Sequence, residues 1–206
     1  QEIQGIFCAK GSGINFHENG KLAGADLSED QKIQGITFAK GTGVGFDKNG
    51  KLWGAHLPED QEIQGICCAK DTWAQFNENG KLTRITLSEE QVIEGIICSK
   101  GTVVEFHENG KLKQATLSDN QEIQGLPCTK GVNPTEFYEN GRLKRAELSE
   151  NQEIQGICCA KDRVIEFSED GTLVTAILSE DQTIQGINLK ERTLVNFNNN
   201  GKLSSA

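Results

Sequence analysis

The string QEIQGIFCAK that opens the chain returns as QKIQGITFAK, QEIQGICCAK, QVIEGIICSK, QEIQGLPCTK, QEIQGICCAK and QTIQGINLK. Its leading glutamines are Gln1, Gln31, Gln61, Gln91, Gln121, Gln152 and Gln182, so the period is 30 residues with one step of 31 and a partial last copy. A repeat of this length constrains the fold more than any single element does. One copy cannot bury its apolar face alone and must lean on its neighbours. Residues 1–206 are therefore expected to form a single β-repeat domain. The extra residue of the fifth copy falls near Pro134, before Phe137, where a bulge or a longer surface loop is expected.

Within a copy, apolar residues alternate with polar ones, as in Ile6/Cys8, Ile14/Phe16 and Ala25/Leu27. That is strand periodicity, and no helical period accompanies it. Turn signals separate the apolar stretches: His17-Glu18-Asn19-Gly20 and its equivalents, Lys10-Gly11, and Ser28-Glu29-Asp30. Read this way, each copy has three strands. If every connection were a hairpin, an odd number would reverse strand direction from one copy to the next, and identical sequence would meet alternating surroundings. Simple translation of a coil avoids this. The expected fold is thus an all-β, roughly triangular parallel β-solenoid with one copy per coil; the alternative is an antiparallel meander, favoured by the Asn-Gly turns.

Several columns are expected to form the core. One holds Ile6 and Ile36 and continues to Ile187; another holds Phe16, Phe46, Phe76, Phe106, Phe137, Phe167 and Phe197 without exception. In a parallel stack these would lie about 4.8 Å apart. The cysteine column, Cys8, Cys68, Cys98, Cys128 and Cys159, has Phe38 and Leu189 in the remaining copies. Replacement by phenylalanine or leucine is how a small buried hydrophobe behaves. Cys67 and Cys158 occupy the next position and should point the other way. Seven cysteines cannot all pair within one chain, and neither a C-x-x-C nor a histidine at zinc spacing accompanies them, so inert thiols are expected and no metal.

The charge balance, 21 basic against 30 acidic residues, lacks the basic stripe that phosphate neutralisation needs, so no nucleic-acid partner is expected. No segment approaches the run of about 18 apolar residues that marks a membrane helix, and no membrane insertion is expected. The repeated lysines from Lys10 to Lys190 and the acidic pairs such as Glu29/Asp30 are expected as solvated faces. The pairs offer too few oxygens at fixed spacing for a calcium loop. His17 and His107 share a column with Asp47, Asn77 and Ser168, which marks an exposed turn, and His56 stands by itself. No Ser/His/Asp or Cys/His arrangement emerges, so neither an enzyme nor a cofactor is expected.

Trp53 and Trp73 break columns that otherwise hold small, polar or aliphatic residues, and alternation places both outward on neighbouring copies. Exposed tryptophans commonly anchor interfaces. The recurring F-x-E-N-G-K-L segment, as at Phe106–Leu112 and, with arginine for lysine, Phe137–Leu143, resembles bacterial MORN-variant repeats. Across the whole period the chain also resembles uncharacterised bacterial β-repeat proteins. The MORN likeness implies protein or lipid contact by a repetitive β scaffold, and the acidic surface disfavours lipid. The expected function is a non-enzymatic scaffold for protein contact or spacing; the alternative is an adhesion or carbohydrate-binding module using Trp53 and Trp73. The first copy opens like an internal one, which suggests an uncapped N-terminal edge and self-association through it. A secreted or cell-surface setting is expected ahead of a cytoplasmic one.

Overall fold

The computed structural model describes residues 1–11, 13–131 and 133–206. Ser12 lies outside the described residues, as does Val132 in the loop where the sequence places the fifth copy's extra residue. Among the described residues there is no helix. The chain divides into two compact units, Gln1–Gln91 with Lys100–Gly110, and Val92–Ser99 with Lys111–Ala206.

In the first unit the strands Asn15–Phe16, Leu22–Asp26, Gly43–Phe46, Leu52–His56, Trp73–Phe76, Leu82–Thr86 and Val103–Phe106 pair in chain order, each antiparallel to the next. In the second, Leu112–Ala115, Thr135–Phe137, Leu143–Glu147, Val164–Phe167, Leu173–Ile177, Leu194–Phe197 and Leu203–Ser205 do the same. The fold is all-β as expected, but the parallel solenoid is corrected to an antiparallel meander. The reason is a miscounted strand. The segment Gln31–Phe38 is not one strand but a tight hairpin, Gln31–Ile33 paired with Ile36–Phe38 across a two-residue turn. With four strands per copy instead of three, hairpins alone return the chain to its starting direction, and translation needs no parallel pairing.

The turn itself explains the Gln-Gly pair at its centre. Gln34 has φ 48° and Gly35 has φ 91°, the two positive values that a type I′ hairpin demands. Glycine adopts this freely, whereas glutamine does so at a cost. Side-chain bonding offsets that cost. Gln34 Nε2 donates to Gly50 O at 2.8 Å, and its Oε1 accepts from Leu52 N at 3.2 Å. Gln4, Gln64, Gln124, Gln155 and Gln185 make the same two bonds in their own copies. Glu94 replaces glutamine in the fourth copy. It still accepts from Leu112 N at 3.2 Å, but a carboxylate has no N–H to donate.

A second glutamine joins consecutive copies. Gln31 Nε2 donates to Gly5 O and its Oε1 accepts from Phe7 N; Gln91 and Gln182 repeat this on Gly65/Cys67 and Gly156/Cys158. Turns are tied forward as well. Lys21 Nζ donates to Asn49 O and Lys81 Nζ to Asn109 O, while Tyr138 Oη donates to Phe167 O, all at 2.7–2.9 Å. The Asp or Asn that closes the turn Ser28-Glu29-Asp30 and its equivalents has a similar local use. Asp30, Asp60, Asn120 and Asn151 each accept from the backbone N–H ten residues on.

The core lies between the short hairpins and the inner face of each sheet. Ile36, Phe38, Val44, Phe46, Ala55 and Leu57 are buried there, and so are Ile6, Phe76, Phe137, Phe167 and Phe197. Two members of the phenylalanine column depart from the core reading: Phe106 is half-buried, and Phe16 is 53% exposed. Phe46 lines a cleft with Ile6 and Leu22 of the copy before it, as Phe197 does with Ile157 and Leu173. Phe16, in the first copy, has no such pair to pack on among the described residues. Ile187, at the other end of this relation, is 52% exposed.

Candidate functional site

Cys8, Cys68, Cys98, Cys128 and Cys159 are fully buried, and the cysteines are all free thiols. Burial pushes Cys68 and Cys159 up to about 12, and Cys98 and Cys128 up to about 11. A nucleophilic cysteine needs the opposite shift. Cys67 and Cys158 are half-buried and are also raised, Cys67 chiefly by its hydrogen bond with Glu89 and Cys158 chiefly by burial. Among the described residues no group of three or more His, Cys, Asp or Glu is placed to hold a metal ion. His17 is spent on structure, its Nε2 lying 2.8 Å from Phe46 O in the next copy.

The outer face of the first unit's sheet carries the feature that stands apart. The long hairpin of the second copy contains a bulge: Phe46 pairs with Leu52 while Gly45 pairs with Gly54, leaving Trp53 as the extra residue. Trp53 therefore emerges on the outer face beside Gly54. Trp73, on the next strand, pairs with His56. The two indoles stack, with ring centroids 5.3 Å apart and planes 9° from parallel, and are 46% and 44% exposed. His56 meets Trp73 edge-on at 6.1 Å and 72°.

Glycines make this stack possible. Along one row of the ladder, Gly24, Gly45 and Gly54 follow one another on adjacent strands before Gln75, Arg84 and Glu105. Trp53 lies across Gly45, where a Cβ would come within 2.8–3.0 Å of three indole atoms. Trp73 lies across Gly54, where a Cβ would meet its ring at 3.1 Å. Asp26 reaches Gly43 from the opposite side, its Oδ1 3.1 Å from where a Cβ would stand. The Asp26 carboxylate is exposed and has no side-chain partner among the described residues.

The equivalent row in the second unit is built differently. Glu136 pairs with Lys144 at 2.9 Å and Arg145 at 3.5 Å, and Arg145 reaches Glu166 at 3.4 Å. There the outer face is filled by mutually satisfied charges, and Glu136 is held below the usual carboxylate range, first by its hydrogen bond with Lys144. On the first unit's face Arg84 is matched by Glu105 at 2.7 Å. The aromatic patch with its glycine floor thus has a different chemistry from the charged rows.

Sequence alternation singles out Trp53 and Trp73 but not the residues that seat them. Gly43, Gly45, Gly54 and Asp26 carry no motif of their own. The available signal is local: glycine stands at 45 and 54 where every later copy has a polar or charged residue.

Residues 100–120, which include the Phe106–Leu112 segment, match the MORN repeat variant family. Among curated proteins none matches the chain. The chain is thus a β-repeat protein with a MORN-variant likeness over that stretch.

Proposed function

We propose that this chain is a non-enzymatic repeat scaffold for protein contact, with the outer face around Trp53 and Trp73 as its contact surface. The observation that carries this reading is the seating of two half-exposed indoles on glycines, which keeps other side chains out of the space they use. Leaving two indoles half in water forgoes a large share of their burial energy, and indoles are among the side chains most enriched at interface centres. The test is crosslinking and affinity capture with the intact chain beside Trp53→Ala and Trp73→Ala variants, plus a glycan array. Loss of the captured proteins in both variants, at unchanged circular dichroism, is expected. Capture indifferent to both substitutions refutes the surface. Glycan binding lost in the variants favours the carbohydrate reading instead. Self-association through the first copy belongs to the same proposal, since Phe7 and Phe16 are exposed there; a strictly monomeric chain in sedimentation at high concentration refutes that part.

A further inference from the structure

The geometry points to a cationic occupant of the Trp53–Trp73 surface: an arginine-bearing segment of a protein partner. This rests on the reading of that surface as a protein contact site and specifies the chemistry it selects. The strand Gly43–Phe46 has two outward glycines, and both vacant positions are filled from neighbouring strands, Gly43 by the Asp26 carboxylate and Gly45 by the Trp53 indole. Two residues along a strand on one face are about 7 Å apart, so an aromatic ring and a carboxylate are held side by side at fixed spacing. A guanidinium within about 6 Å of the ring centroid is attracted to the π face, and its planar fork can bond a carboxylate at the same time.

The neighbouring charges favour a cation over a neutral ligand. Arg84, the basic side chain on the adjoining part of the row, is already matched by Glu105, whereas Asp26 has no side-chain partner among the described residues. The chain carries a net charge of −9, which draws basic segments toward it. Asp26 adds nothing to an uncharged apolar ligand and loses hydration when one covers it. A cation uses both the ring and the carboxylate.

The chain has two tryptophans, both at this surface, so its indole emission reports on the site directly. The probes are short Gly/Ser peptides carrying one or two arginines, the same peptides with citrulline, and neutral chitotriose. Saturable emission changes are expected with the arginine peptides at or below about 1 mM, the range of a weak site. An exposed cation–π contact and a surface ion pair each contribute about two- to fivefold. Citrulline peptides should therefore bind about tenfold more weakly, and Asp26→Asn should weaken the arginine peptides about two- to fivefold with the circular dichroism unchanged. The inference is overturned by no saturable change with any arginine peptide, by equal citrulline binding, or by an Asp26→Asn variant that binds as tightly as the parent. Chitotriose binding without arginine binding overturns it in favour of a sugar. If the cation inference fails while Trp53→Ala still abolishes protein capture, the contact surface stands and only its chemistry is wrong.

Discussion

The glutamine at the centre of each short hairpin can be tested by exchanging its two natural forms. Gln155 donates to Gly171 O at 2.8 Å and accepts from Leu173 N at 3.1 Å, while Glu94 can only accept. Gln155→Glu keeps the acceptor, removes the donor and turns a carboxylate oxygen toward a carbonyl. A net hydrogen bond contributes about 0.5–1.5 kcal/mol, so the cost should be about 1–2 kcal/mol once the opposed oxygens are included. Glu94→Gln should gain about 1 kcal/mol. In a chain of this size 1 kcal/mol moves the thermal midpoint by about 2–4 °C, measurable by circular dichroism. The pH dependence tests the cause. Below about pH 4.3 the carboxyl of Gln155→Glu is protonated and can donate an O–H in place of the lost N–H. Its folded form then favours the protonated state, so the deficit relative to the parent is present at pH 7 and shrinks as pH falls toward 4. A deficit equal at pH 7 and pH 4, or a Glu94→Gln variant no more stable than the parent, refutes the account.

The buried thiols predict loss of stability in alkali. The unfolded thiol ionises near 9, whereas the folded column holds its protons to about 11–12, so stability is intact below pH 9 and falls above it by about 1.4 kcal/mol per pH unit for each such cysteine. Urea titrations from pH 8 to 10.5 should show this slope reduced by that amount in Cys98→Ala; an unchanged slope refutes it. Alkylation followed by mass spectrometry should label Cys67 and Cys158 before the buried column, and equal rates would refute the assigned burial. Gly45→Ala places a methyl against the Trp53 ring and should abolish the exciton couplet of the stacked indoles while changing stability by no more than about 1 kcal/mol; a retained couplet refutes the glycine seat.

The periodicity, the strand character and the identity of most core columns are legible in the sequence because each copy repeats the same burial problem. Parity of strands does decide between hairpins and a coil, but each copy has four strands, where the sequence shows three apolar stretches. The pair Gln4-Gly5 between Ile3 and Ile6 is a two-residue hairpin loop, but glutamine is an unusual first residue for a type I′ turn, and the side-chain bonds that permit it reach Gly20 and Leu22, far along the chain. A local reading takes the glycine as a bend. Phe16 shows a second limit. Its column is uniform in sequence, yet burial depends on an Ile and a Leu of the copy before, and for Phe16 no such pair is among the described residues. The stack of Trp53 on Trp73 was beyond reach for a third reason. Which side chain lies over which glycine depends on the bulge at Gly45/Phe46 and on the side from which each ring leans, and neither follows from alternation.

The glutamine that joins one copy to the next has a consequence at the level of the gene. The Gln31 side chain bonds to Gly5 and Phe7, and that of Gln182 to Gly156 and Cys158, all in the copy before. Duplication of a 30-residue stretch therefore supplies a new copy together with the bonds that fasten it, and deletion removes both without stranding a partner. Length in such a chain can drift by recombination at little thermodynamic penalty. The indole pair does not share this freedom. It draws on Gly45, Trp53 and Gly54 from one copy and Trp73 from the next, so an insertion between them destroys it and a duplication elsewhere leaves it single. Lineages that vary in copy number while keeping those two copies adjacent would carry the mark of selection on the surface, separate from selection on the fold.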